Sequence, residues 1–283
     1  MLLLNASGCL DALTAPEVAN QLDAFVTKTI TPLPRGGNAP VRITETDGGM
    51  LNAIGLANPG RQRFLAETLP RLRALLDVPV WVSVGGFCAD DYAETCAALA
   101  GVEAIELNLS CPNVDEAPES AAEIVAACRA ATMLPLYAKL SAAVPDIAAV
   151  ARAVEAAGAD GVSLVNTLRG LKLDERTLRP VLARAVGGLS GPALKPVALA
   201  AVFACRRATA LPIVGMGGIA RGRDALEFVA AGATHVALGT VLFADPNAPR
   251  RVRAELVEEC ARVGVADPDD ALARAHESPE VLA

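Results

Sequence analysis

The sequence predicts an α/β fold, a single-domain (β/α)8 TIM barrel, from three observations. Eight short apolar runs, each bounded by Gly, Pro or Asn, recur between residues 2 and 240. Stretches with the apolar spacing of amphipathic helices lie between them. Each run also ends, on its C-terminal side, in glycine or a polar residue. Near-continuous apolar strands alternating with helices imply a parallel sheet covered by helices. Eight such units within 283 residues suit a closed barrel better than a doubly wound open sheet, the competing architecture. No composition shift marks a second domain. Residues 1–283 are therefore read as one barrel domain, with 247–283 as a C-terminal helical cap.

In chain order the runs are "LLLNASG" (2–8), "FVTKT" (25–29), "VWVSVGG" (80–86), "IELNLS" (105–110), "LYAKLS" (136–141), "VSLVNT" (162–167), "PIVGMGG" (212–218) and "HVALGT" (235–240). Among the helical stretches, "RQRFLAETLPRLRALL" (61–76) sets Phe64, Leu65, Leu69, Leu72 and Leu76 near one stripe. "AAEIVAACRAA" (121–131) and "VPDIAAVARAVEAAG" (144–158) behave in the same way.

Composition excludes several classes. The chain is 53% hydrophobic, with a net charge of −7 and its 25 Lys and Arg scattered singly. It carries no electrostatic footprint for nucleic acid and no polybasic segment for anionic lipid. Seven cysteines without CxxC spacing and only two histidines, His235 and His276, leave few ligands for zinc. The cysteines read as reduced thiols, several of them small core residues. "MLLLNASG" lacks a basic n-region and a long apolar stretch, and no apolar run reaches the ~18 residues that span a bilayer. Two glycosylation sequons, at Asn5 and Asn108, are discounted without a secretory signal. A cytoplasmic protein is expected.

The polar strand ends locate the chemistry. They comprise Asn5 and Ser7, Lys28 and Thr29, Ser83, Asn108 and Ser110, Lys139 and Ser141, Asn166 and Thr167, Gly217 and Gly218, and Gly239 and Thr240. Together they would form the C-terminal mouth of the barrel, where barrel enzymes carry their sites. "GMGGIARG" (215–222) and "ALGT" (237–240) close the last two runs, where backbone N–H groups commonly hold a phosphate. A pair of tight turns is the alternative. "GMGGIA" also fits G-x-G-x-x-A, but the strand that follows has no acid for a ribose hydroxyl, so a dinucleotide site is rejected. Lys28 and Lys139 stand inside apolar strands, where lysine is rarely buried without a partner. Two lysines beside a phosphate cradle suit flavin mononucleotide (FMN), although spacing alone does not single it out; snorkelling side chains at a rim are the alternative.

Taken in order, "NASG", "TKTITPLPRGGNAPVRITETDGGMLNAIGLANPG", "ELNLSCPNV", "AKLS", "VNTLRG", "GGLSGPALKPVAL", "IVGMGGI" and "LGT" resemble the class 1 dihydroorotate dehydrogenases from Asn5 to about Pro246. "DGGMLNAIGLANPG" (47–60) is most similar to type B, the catalytic subunit that works beside an iron–sulfur flavoprotein. The resemblance implies an FMN barrel that oxidises dihydroorotate to orotate in pyrimidine synthesis. It places the catalytic base on Cys111. It carries FMN contacts to Ser7, Lys28, Thr29, Ser83, Asn108, Lys139, Val165, Gly191, Gly217, Gly218, Gly239 and Thr240. Substrate contacts fall on Lys28, Asn52, Ala53, Ile54, Gly55, Leu56, Asn108, Asn113, Asn166 and Thr167. One FMN per chain is implied, with FAD and a 2Fe–2S cluster confined to a partner subunit. The expected assembly is a homodimer, extended by that partner to a heterotetramer.

The chemistry of the residues agrees with the resemblance. Dihydroorotate loses a proton from one carbon and a hydride from its neighbour, so a base must face the hydride acceptor across the substrate. A free thiol, with a pKa of about 8.5, is a few per cent thiolate near neutrality. Amides at Asn52, Asn108, Asn113 and Asn166 both donate and accept against a pyrimidine's imide edges. Lys139 would stabilise negative charge on the reduced flavin.

Two departures from the family pattern stand out. "VDEAPESAAEIV" (114–125) is shorter than the usual covering loop and lacks its Gly-Gly and Phe-Gly segment, and the region between "NASG" and "TKT" is trimmed. A shorter lid excludes water less well. That keeps a fumarate-using oxidase, a related dihydropyrimidine oxidoreductase and a catalytically impaired FMN- or phosphate-binding barrel as alternatives.

Overall fold

The computed structural model describes residues 1–109 and 121–277. Twelve strands are present among them: β1 (Leu3–Asn5), β2 (Phe25–Val26), β3 (Ile43–Thr46), β4 (Gly49–Asn52), β5 (Val80–Val84), β6 (Ala104–Asn108), β7 (Leu136–Leu140), β8 (Gly161–Leu164), β9 (Leu168–Leu171), β10 (Val186–Ser190), β11 (Ile213–Met216) and β12 (His235–Leu238). Eight of them form one parallel sheet in the order β1-β12-β11-β8-β7-β6-β5-β2. An isolated parallel bridge from Leu4 to Ala24 joins its two ends and closes the barrel. That seam has few ladder bonds, and Asn5 substitutes for them. Its side-chain amide accepts from the Val26 N–H and donates to the Val26 carbonyl, both at 2.8 Å, with Asn5 fully buried. All eight predicted strands are found, so the barrel expected from the sequence is the barrel observed.

Side chains alternate across each strand, which separates two cores. Inside the barrel, Leu4, Val26, Trp81, Ala104, Tyr137, Val214, Met216 and Ala237 form one cluster, with the Trp81 and Tyr137 rings 4.5 Å apart between centroids. Outside it, a larger cluster packs the opposite strand face against the helices; Ile105, Leu107, Val125, Cys128, Val202 and Phe228 belong to it. Each such fully buried aliphatic or aromatic side chain contributes roughly 1.5–3 kcal/mol.

The predicted helices appear with small changes at their ends. The 61–76 stretch is helical from Arg61 to Leu75, but its middle, Phe64–Thr68, widens to π-helical hydrogen bonding. The third helix starts at Ile147, later than residue 144, because the Asp146 carboxylate caps it by accepting from the Ala149 N–H at 3.0 Å. Beyond the barrel, a helix at Ala248–Val263 packs on the Gly222–Ala231 helix, followed by single 3-10 turns at Pro268–Ala271 and Arg274–His276. No described helix is long and apolar enough to cross a membrane.

A second, four-stranded antiparallel sheet, ordered β3-β4-β10-β9, is the element that the apolar runs did not predict. Its β3–β4 hairpin pairs Thr46 with Gly49 around the turn Asp47–Gly48, where Gly48 has φ 75°. β10 then pairs with β4 across more than 130 residues of chain, matching Gly188 with Asn52. This sheet places Ile43, Met50, Asn52 and Ser190 against the barrel mouth.

Candidate active site

A cavity of about 270 Å³ opens at the C-terminal ends of the barrel strands. Among the predicted FMN contacts, Ser7, Lys28, Thr29, Asn108, Lys139, Val165, Gly191, Gly217, Gly218, Gly239 and Thr240 line it. Of the predicted substrate contacts, Lys28, Asn52, Ile54, Gly55, Leu56, Asn108, Asn166 and Thr167 line the same space. Ser83 and Ala53 do not. Ser83 is fully buried one layer below, its Oγ 2.9 Å from Thr29 Oγ1, so it supports a lining residue. Ala53 packs with Leu51 and Leu182, while its carbonyl accepts from Asn38 Nδ2 at 2.9 Å. Cys111 and Asn113 lie outside the described residues.

Alternation along the strands explains the placement. In β6, Ile105 and Leu107 face the helices, which turns Glu106 and Asn108 inward. In β7, Ala138 and Leu140 face out and Lys139 faces in. The result is a polar layer above the apolar plug. Lys139 Nζ donates to Ser7 Oγ at 2.9 Å and to Glu106 Oε1 at 3.3 Å. Ser83 Oγ donates to the same carboxylate oxygen at 3.4 Å. Asn108 Nδ2 donates to Thr29 Oγ1 at 3.2 Å, and Asn166 Nδ2 donates to Asn108 Oδ1 at 3.0 Å.

Glu106, bonded to the lining residue Lys139, is one residue near the site that the sequence motifs did not mark. It stood in plain view within "IELNLS": an acid of the same parity as Asn108 in an apolar strand, where an unpaired charge is almost never buried. Cys9 was also overlooked. Its thiol lines the cavity, and burial pushes it up despite Lys139 and Lys28 nearby, so Cys9 stays a neutral thiol.

The loops after β11 and β12 make an anion cradle. Among the described residues, the backbone N–H groups of Gly217, Gly218, Gly239 and Thr240 donate to no protein acceptor. Gly218, at φ 84°, cannot be replaced without strain, since a Cβ there would stand 2.8 Å from the Gly191 carbonyl oxygen. Asp224 holds the loop beneath: its carboxylate accepts from the Ala220 and Arg221 N–H groups at 2.9 and 3.0 Å and from Lys195 Nζ at 2.6 Å. Burial pushes the Asp224 carboxyl up, but Lys195 and the two N–H donors outweigh it and hold it below the usual range. A second, more apolar cavity of about 400 Å³ adjoins the first and shares Gly8, Cys9, Lys28 and Phe243 with it.

Unpaired N–H donors beside a buried ammonium are what a phosphorylated, electron-rich ligand requires. The family model that matches the chain, over residues 2–260, is that of dihydroorotate dehydrogenase. The chain belongs to the dihydroorotate dehydrogenase family. It is 43% identical over 261 residues to the catalytic subunit of dihydroorotate dehydrogenase B (NAD(+)) of Listeria monocytogenes, covering 89% of this chain and 86% of that one. The same subunit of Latilactobacillus sakei is 47% identical over 259 residues, with 88% and 84% covered. That of Desulforudis audaxviator is 46% identical over 265 residues, with 90% and 86% covered. These relatives bear out the resemblance to type B. Among solved structures, the Eimeria tenella dihydroorotate dehydrogenase in complex with ferulenol superposes with a TM-score of 0.80 over 98% of this chain and 85% of that one. At 23% identity that likeness shows the fold alone. The dihydroorotate dehydrogenase family is flavin-dependent, and its "catalytic subunit" relatives imply an electron-transfer partner.

Proposed function

We propose that this protein oxidises dihydroorotate to orotate with FMN as its resident cofactor, and passes the electrons through an FAD- and 2Fe–2S-bearing partner subunit to NAD. The observation that carries the reading is the convergence, in one cavity, of a glycine cradle, two lysines and the Asn108–Asn166 amide pair.

Gly217, Gly218, Gly239 and Thr240 would hold the FMN phosphate with their backbone N–H groups, beside Gly191. Lys139 and Ser7 would meet the polar edge of its ring, next to Thr29 and Val165. Bound FMN supplies the acceptor for the substrate's hydride. Lys28, Asn52, Asn108, Asn166 and Thr167 would orient the substrate, with the 53–56 backbone and Asn113 completing its surroundings. Cys111 takes the proton as general base; a thiol suits this role because a few per cent is thiolate near neutrality. Amide and ammonium donors fit a substrate whose rim is carbonyl and carboxylate oxygen.

The reading includes a cytoplasmic homodimer that binds the partner as a heterotetramer. Turnover with dihydroorotate and dihydrouracil, each with an artificial electron acceptor, tests the substrate. Dihydroorotate is expected to be used at least a hundredfold faster, and equal rates would replace it with a broader dihydropyrimidine activity. Copurification with an FAD and iron–sulfur subunit, and NAD reduction by that complex, tests the electron route. Turnover by the isolated chain with fumarate would contradict it.

A further inference from the structure

Among the described residues, Glu106 is a buried acid bonded to a cavity-lining side chain, Lys139, and the proposed reaction does not use it. It is 1% exposed and Lys139 is 5% exposed, and the two form an ion pair at 3.3 Å. Among the described residues Lys139 has two partners, Ser7 and Glu106, and only Glu106 is charged. The same carboxylate oxygen also accepts from Ser83 Oγ at 3.4 Å, from the neighbouring strand β5. Ser83 in turn meets Thr29, and Thr29 meets Asn108, so the acid is tied to cavity-lining side chains on neighbouring strands.

A buried ion pair is weak as a stabilising device, because desolvation of both charges offsets their attraction. Its larger effect is on the field. An ammonium alone projects a full positive charge into a low-dielectric site. Paired with a carboxylate, it projects a dipole, which falls off faster with distance. We propose that Glu106 is a positioning residue that fixes Lys139 and cancels part of its charge toward the cofactor, setting how strongly the site favours the reduced over the oxidised flavin. This inference rests on the reading of the cavity as an FMN site.

The test is the midpoint potential of bound FMN in a double-mutant cycle. Glu106→Gln keeps the side-chain shape and removes the charge. It is expected to raise the preference for reduced over oxidised FMN at least tenfold, about 30 mV for a two-electron couple. In a Lys139→Gln background Glu106 has no ammonium left to fix, so the same change acts only through the loss of its own charge and is expected to shift that preference less. Glu106→Asp, which retains the carboxylate but withdraws it, should shift the potential in the same direction by less, and it serves if the Gln variant does not fold. An unchanged or lowered potential in Glu106→Gln, or an equal shift in both backgrounds, overturns the proposal. Absence of any bound flavin from the wild-type protein would instead overturn the FMN reading beneath it.

Discussion

Asn166 Nδ2 stands 3.0 Å from Asn108 Oδ1, although 58 residues separate the two amides in the chain. The Thr167 N–H donates to Asn166 Oδ1 at 2.8 Å, which fixes the Asn166 amide, and the contact to Asn108 passes that orientation on. Asn108 then spends one N–H on Thr29 and keeps the other. Among the described residues Asn108 therefore offers a donor to the cavity, matching a ligand rimmed with carbonyl and carboxylate oxygens.

Replacing Asn108 by Ala should weaken orotate binding by one to two orders of magnitude, because hydrogen bonds to charged groups are each worth about 1.5–3 kcal/mol. Titration of the FMN-loaded variant with orotate, followed by the flavin absorbance, measures this. An unchanged dissociation constant would remove Asn108 from the substrate site.

Gly218→Ala should fold yet purify with little or no yellow colour. The added methyl group meets the Gly191 carbonyl oxygen at 2.8 Å and the positive φ is lost, so the N–H groups of the cradle move. Flavin content per chain, measured after denaturation, checks it; full occupancy would show that the phosphate is held elsewhere.

Asp224 gives a pH signature. Its carboxyl is held below the unfolded-state value, so the stability it contributes is present above about pH 4 and is lost as pH falls through the depressed folded value. Asp224→Ala should lower stability by about 1–2 kcal/mol near neutrality by stranding the Ala220 and Arg221 N–H groups. The gap between wild type and variant should be level from pH 5 to 8 and close at lower pH in urea denaturation. A gap that widens on acidification would contradict the sign.

The barrel was legible in the sequence because its strands are short apolar runs with punctuation at each end, and because Asn5, Lys28, Asn108, Lys139 and Asn166 mark the polar end of five of them. The antiparallel sheet was not. β9 reads "LRGL" and β10 "VGGLS", each short and weakened by glycine, and β10 is held between β9 and β4, the latter far away in the chain. The β3–β4 hairpin did carry a local signal, the Asp47-Gly48 turn between alternating residues, which the family motif around it obscured. Glu106 was missed for a different reason. Its meaning depends on strand parity and on Lys139 lying on the adjacent strand, a relation between β6 and β7 that no single stretch displays.

The most direct measurement is anaerobic mixing of the yellow, FMN-loaded protein with dihydroorotate, in wild type and in Cys111→Ala. The account predicts that the wild-type flavin bleaches promptly, and that the variant keeps its colour on purification but bleaches slower by orders of magnitude. A wild-type protein that stays yellow would contradict dihydroorotate oxidation itself, and a variant that bleaches at the wild-type rate would contradict the thiol as its base.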